Sequence, residues 1–104
     1  MGLFKSVREL QKQSNEISKN HDMGAQLTRA IDNLETVLRK AGAELSDVVR
    51  LNYYTTDVDG FFEVYGAAAG RLASANCRPA STLLGVGRLA FSELLVEIEA
   101  TAMA

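Results

Sequence analysis

The residues with usable chemistry crowd into the last third of the chain. Cys77-Arg78-Pro79-Ala80-Ser81-Thr82-Leu83 brings a thiol, a guanidinium and two hydroxyls into one short run, and Val96-Glu97-Ile98-Glu99 sets two carboxylates on an alternating one. A carboxylate such as Glu97 can hold a water or accept its proton. Alternation alone, however, puts Glu97 on a polar face with Leu95, Glu99 and Thr101, opposite Val96, Ile98, Ala100 and Ala102. Arg78 can grip a carboxylate or phosphate, or simply pair at the surface ahead of Pro79. Ser81 and Thr82 can donate hydrogen bonds to a ligand, or merely begin a strand. Cys77 would need a lowered pKa and a base, and its sequence neighbours supply no base. His21 stands in a polar stretch that fixes no tautomer. A single histidine and a single cysteine exclude a His-paired metal site and a disulfide framework within one chain. Gly85 and Gly87 lack the strand, loop and helix context and the lysine of a phosphate cradle.

These residues must be held by the elements around them. Leu27, Ala30, Ile31, Leu34, Val37, Leu38 and Ala41 recur at helical spacing, so residues 24–42 read as an amphipathic helix with Glu35 four before Arg39 and Gly42 as its stop. Residues 47–56 alternate as a strand, with Tyr53 and Tyr54 on opposite faces. A second helix fits 60–75, presenting Phe61, Val64, Tyr65, Ala68 and Leu72, with Asp59 as a candidate cap and Pro79 beyond its end. Two further strands fit 81–87 and 94–102 and read as a final hairpin-like pair. The glycines of the first suggest a bulge or a close backbone approach. At the start, Leu3, Phe4, Val7 and Leu10 predict a short amphipathic helix over 2–13, followed by a polar arm to about residue 22. The order predicts helices on one face of a mixed sheet, an α+β domain.

Composition sets the outer limits. The chain has 104 residues, 47% hydrophobic and 23% charged, which is single-domain globular usage. Eleven basic against thirteen acidic residues, net −2 and without a basic block, argue against a nucleic-acid partner. No apolar run approaches the ~18–20 residues that span a bilayer. Met1–Arg8 shows no signal-peptide core, so the expected home is cytoplasmic.

AQLTRAIDNLETVLRKAGAELSDVVRLNYYTTDVD, VYG, RPASTLLGVGRLA and LLVEIEATA together resemble the RidA/YjgF family of reactive-intermediate deaminases, from about Gly24 to Ala102. The resemblance implies a chorismate-mutase-like α+β subunit, a single RidA-like domain over 1–104. It implies a homotrimer with clefts between subunits for a small-molecule ligand, and no metal or organic cofactor. It also implies hydrolysis of enamine and imine intermediates such as 2-aminoacrylate. On this alignment Glu97 matches the glutamate that positions the attacking water. Thr82 and Leu83 match main chain that faces the ligand. Two departures stand out. Ser81 occupies the place of the carboxylate-clamping arginine, and a hydroxyl cannot replace a guanidinium fork. Phe62 occupies the place of an asparagine three residues before the cleft tyrosine. Arg78, three residues earlier than Ser81, is the candidate displaced cation. The family's opening β-hairpin finds no strand pattern in MGLFKSVRELQKQSNEISKN, so residues 1–22 read as an atypical segment. Two functions follow for comparison: a RidA-like enamine/imine deaminase using Glu97 with Arg78, Ser81, Thr82 and Leu83 around the substrate, and a non-catalytic metabolite-binding trimer that has lost its anchor.

Overall fold

A computed structural model describes the backbone of residues 4–9 and the whole of residues 22–103. Its elements are β1 (Phe4–Glu9), α1 (Met23–Lys40), a 3-10 turn (Leu45–Asp47), β2 (Val48–Thr55), α2 (Val58–Ser74), β3 (Ala80–Gly85) and β4 (Val96–Met103). The strands form one mixed sheet in the order β1-β4-β2-β3. The two helices cover one face of it, giving the α+β architecture that the pattern predicts. The core lies between: Leu27, Ile31, Leu34 and Leu38 of α1 and Phe61 and Leu72 of α2 meet Leu51, Tyr53, Val96 and Ile98.

Both helices are stopped by the same device. Gly42, at φ 79°, follows α1, and Asn76, at φ 58°, follows α2. In each case two N–H groups fold back on the last turn: Gly42 to Arg39 at 3.0 Å and Ala43 to Leu38 at 2.8 Å, then Asn76 to Ala73 at 3.0 Å and Cys77 to Leu72 at 2.8 Å. This paired 5→2 and 6→1 pattern satisfies carbonyls that a helix end leaves open. The caps at the other ends are Asp22, accepting from the Ala25 N–H, and Asp57, accepting from the Gly60 N–H. Asp57, not Asp59, therefore opens α2, which begins two residues earlier than the spacing predicts. The expected Glu35–Arg39 pair forms at 3.3 Å, and Arg71 of α2 reaches Asp32 at 2.7 Å and Glu35 at 3.1 Å, tying the helices together.

Three expectations are corrected. Phe4–Glu9 is a strand, antiparallel to β4 from Phe4 opposite Met103 to Glu9 opposite Ile98, and not part of a helix. Six residues with two large apolar positions fit either period, and the open edge of β4 decides the matter by offering backbone partners. The sheet edge beside β4 is thus occupied after all. The rest of the predicted N-terminal helix, the polar arm and His21 lie outside the described residues. Secondly, β3 and β4 are not a hairpin. β3 runs parallel to β2, and β4 runs antiparallel to β2 on its other side. The ten-residue connection 86–95 is longer than the two to five residues typical of hairpins, and it carries the chain past the end of β2. Thirdly, the register slips between Val48 and Arg50, so Val48 is buried while Val49 is exposed. The alternation reads correctly again from Leu51.

The positive φ of Gly42 gives one substitution opposite signs at two sites. Gly42→Ala should lose about 1 kcal/mol, because an L-residue is disfavoured in the left-handed region. Gly70→Ala, inside α2 with nothing within 4 Å of the added methyl, should gain up to about 1 kcal/mol from helix propensity. Urea denaturation of the two variants beside the parent checks the pair.

Candidate functional site

Pro79 pushes the chain into extended form after the α2 stop, and β3 then runs along β2 at the edge of the sheet. Parallel pairing puts Ser81 beside Leu51 and Leu83 beside Tyr53 on the helix face, and Thr82 beside Asn52 on the outer face. α2 presents Phe61, Phe62 and Tyr65 to the same edge. Phe61 and Tyr65 stack at 5.2 Å between centroids, and Tyr53 meets them edge-on or tilted at 5.6 and 5.1 Å. Between α2 and β3 lies a cavity of about 180 Å³ lined by Tyr53, Phe61, Phe62, Tyr65, Ser81, Thr82 and Leu83. Among the described residues its lining holds no charged side chain. Tyr53 is 2% exposed, and its hydroxyl is buried without a hydrogen bond of acceptable geometry. Burial above all, then the neighbouring Tyr65 and Cys77, pushes the Tyr53 phenol far up, so it stays protonated.

The cavity brings together three of the residues marked in the sequence, Ser81, Thr82 and Leu83. It does not include Arg78 or Glu97. Arg78 is exposed, and its Nε donates to the Asn76 Oδ1 at 3.2 Å. Glu97 pairs with Tyr54, which pairs with Leu84, so it stands six strand positions beyond Arg78. At ~3.3 Å per residue that is roughly 20 Å along the strands. Within one chain, then, Arg78 and Glu97 cannot hold one small molecule. Glu97 also lies on the face opposite the helices, where it is nonetheless only 6% exposed. Beside it, Glu99 Oε1 accepts from the Tyr54 hydroxyl at 2.9 Å and from Asn52 Nδ2 at 3.4 Å. The outer face is therefore an ordered polar surface rather than a fringe of solvated charges.

Cys77 is buried, and burial pushes its thiol pKa up, which removes it as a nucleophile. Among the described residues, no group of three His, Cys, Asp or Glu side chains is arranged to hold a metal ion. A larger groove, of about 720 Å³, runs between the helices past Asp22, Gly24, Arg29 and Glu63. It contains none of the residues marked in the sequence.

Two positioning residues are missing from the sequence reading. Gln26 is 1% exposed; its Oε1 accepts from the Leu95 N–H at 2.7 Å and its Nε2 donates to the Glu93 carbonyl at 3.1 Å. Thr55, also buried, donates from Oγ1 to the Leu95 carbonyl at 2.7 Å. Leu95 is thus held at both backbone groups, two residues before Glu97. The available signal is Gln26 itself, a polar residue inside the Met23, Leu27, Ala30 stripe.

With this geometry in view, similarity to known proteins gives the class. The sequence model of the family described as Endoribonuclease L-PSP matches residues 8–104. The chain is 36% identical over 84 residues to a RutC family protein of Pyrococcus abyssi and 32% identical over 84 residues to one of Pyrococcus horikoshii, covering 78% of this chain in each case. It spans only 61% and 62% of the length of those two relatives. Among solved structures, YyfB of Yersinia pestis, of the conserved Rid protein family, superposes with a TM-score of 0.81 at 32% identity, over 99% of this chain and 78% of that one. The YjgF gene product of E. coli shares the fold at a TM-score of 0.78, over 97% of this chain and 79% of that one, at 23% identity. The chain belongs to the RidA/YjgF family, whose sequence model carries the L-PSP description. Among the described residues, no helix is long and apolar enough to cross a membrane.

Gln26→Leu would strip the partners from the Leu95 N–H and Glu93 carbonyl at once. We expect a loss of about 1–3 kcal/mol, since two part-buried groups lose their partners at ~1 kcal/mol or somewhat more each. Chemical denaturation gives the loss, and amide exchange at Leu95 shows whether it is local.

Proposed function

We propose that the chain is a subunit of a homotrimeric, cofactor-free hydrolase of small imines and enamines, in the cytoplasm, with Glu97 as the water-positioning carboxylate. Family membership supports the reaction class. The observation that carries the reading for this chain is Glu97, buried on an ordered face at the family's catalytic position yet remote from its own chain's cavity. A subunit cleft reconciles these facts: the α2–β3 cavity of one copy, with Ser81, Thr82 and Leu83, meets Glu97 of the next. Arg78 lies at the same end of β3 as Ser81 and serves as an outer contact for a polar group.

The chemistry is hydrolytic and balances without a redox partner. An enamine tautomerises to its imine, and a water held by Glu97 adds its oxygen to the C=N carbon while a proton passes to nitrogen. The carbinolamine then collapses to a carbonyl compound and ammonia. Glu97 contributes by orienting the water and shuttling its proton, which accounts for roughly 10²–10⁴-fold in rate for a positioned general base. RNA cleavage, which the family description names, draws no support from a net charge of −2 and an uncharged cavity.

Two substrates test the reading: 2-aminoacrylate from a PLP-dependent lyase, and the uncharged imine that a flavin amine oxidase releases from benzylamine. At least one should disappear faster with the protein present, and Glu97→Gln should cut the acceleration by roughly 10²-fold or more. If neither is accelerated, or Glu97→Gln matches the parent, the hydrolase reading fails; ligand-dependent thermal stabilisation would then mark a binding protein instead. Sedimentation should give a trimer, and a monomer would remove the cleft on which the reading depends.

A further inference from the structure

We propose that Tyr54 is a positioning residue for Glu97: anchored through its hydroxyl on Glu99, its ring closes one side of Glu97 and confines the carboxylate that the reaction uses. The inference rests on the hydrolytic reading, in which Glu97 holds the water, and adds to it the groups that hold Glu97.

Register brings these residues together. Tyr54 lies directly opposite Glu97 across the β2–β4 pair, and Asn52 lies opposite Glu99. All four stand on the face away from the helices, because Leu51, Tyr53, Val96 and Ile98 take the other. Opposite positions put Cβ atoms ~4.5–5.5 Å apart, and an aromatic side chain also reaches its diagonal neighbour at ~7–8 Å. Tyr54 does both. Its root is beside Glu97, while its hydroxyl donates to Glu99 Oε1 at 2.9 Å, the oxygen that also accepts from Asn52 Nδ2 at 3.4 Å. The ring is thus fixed at both ends. It covers the Glu99 side of Glu97, which is only 6% exposed.

This arrangement bears on the chemistry in two ways. A glutamate has several rotatable bonds, and ordering it at the moment of reaction costs entropy. A wall already in place removes that cost, which is what positioning contributes to a rate. Glu99 is also a second carboxylate on the same face, two residues along the strand. Donors from Tyr54 and Asn52 engage its Oε1, so the two carboxylates have different tasks: Glu99 anchors and Glu97 holds the water.

Tyr54→Phe keeps the ring and removes the anchor. It should fold, with Tm lowered by less than about 8 °C. On whichever imine the parent accelerates, it should lose roughly tenfold in kcat at unchanged KM. Glu99→Ala should lose the same factor, and Glu99→Gln, which keeps an acceptor for the hydroxyl, should recover most of it. The double variant of Tyr54→Phe with Glu99→Ala should be no slower than either alone. In a Glu97→Gln background Tyr54→Phe should change nothing further. NMR couplings of the Glu97 methylenes should report one rotamer in the parent and averaging in Tyr54→Phe. A kcat within twofold of the parent, a loss confined to KM, or single losses that multiply in the double variant would each overturn the proposal. Should Tyr54→Phe fail to fold, the contrast between Glu99→Ala and Glu99→Gln decides. A parent that hydrolyses neither substrate loses the hydrolase reading, and the couplings then decide whether Tyr54 holds Glu97. A parent that hydrolyses through Glu97 while Tyr54→Phe matches it in kcat and couplings loses this inference alone.

Discussion

Everything downstream of β3 depends on how Leu95 is held. Gln26 takes its N–H, Thr55 takes its carbonyl, and the Thr56 N–H shares that carbonyl at 3.2 Å. These contacts join α1, the end of β2 and the start of β4 at a single backbone unit. A long connection has little intrinsic reason to deliver its strand to one place, since loop closure is only weakly sensitive to length. Short, part-buried hydrogen bonds at its last residue supply the reason. They fix where β4 enters, and with it the register that buries Val96 and Ile98 and turns Glu97 to the other face. The bonds are part-buried, so the surroundings strengthen them relative to bonds in open water and make their loss costly.

The sheet order then separates the chemical groups. Parallel pairing of β3 on β2 carries Ser81 and Arg78 to one end, while antiparallel pairing of β4 carries Glu97 to the other and through to the opposite face. This is a constraint of topology, not of side-chain choice. A single rotamer change cannot span roughly 20 Å of strand. β3 is also an edge strand with most of its residues exposed, a feature that soluble proteins normally cover or blunt.

Much of this was legible in the residues. The stripes of both helices, the opposed faces of Tyr53 and Tyr54 and the inward set Val96, Ile98, Ala100 and Ala102 all follow from period alone, and the structure keeps them except at Val37, which is exposed at the margin of its stripe. Gly85 is a close approach, as its type suggests: an added methyl would meet Val58 at 3.0 Å. What local pattern missed was set by long-range partners. Phe4–Glu9 becomes a strand because β4 offers it hydrogen bonds, and no window of six residues contains that fact. β3 and β4 part company because of contacts made sixty-nine positions away, between Gln26 and Leu95. Of the marked site residues, Ser81, Thr82 and Leu83 do converge, since neighbours on a strand edge stay neighbours. The pairing of Arg78 with Glu97 depends on strand order, which periodicity does not encode.

Ser81, where the resemblance implies an arginine in relatives, is best judged by what surrounds it. Had an arginine alone been lost from an otherwise polar cleft, the site would be a damaged copy of its relatives, with unpaired groups left behind. Here Ser81 has company: Phe62, where the resemblance implies a polar residue in relatives, adds a ring, and the neighbouring wall is Tyr53, Phe61 and Tyr65. Removing one partner of a charged pair leaves a penalty, whereas replacing the polar set with apolar groups of similar shape can be neutral. The cavity follows the second course, with rings from β2 and α2 closing its wall.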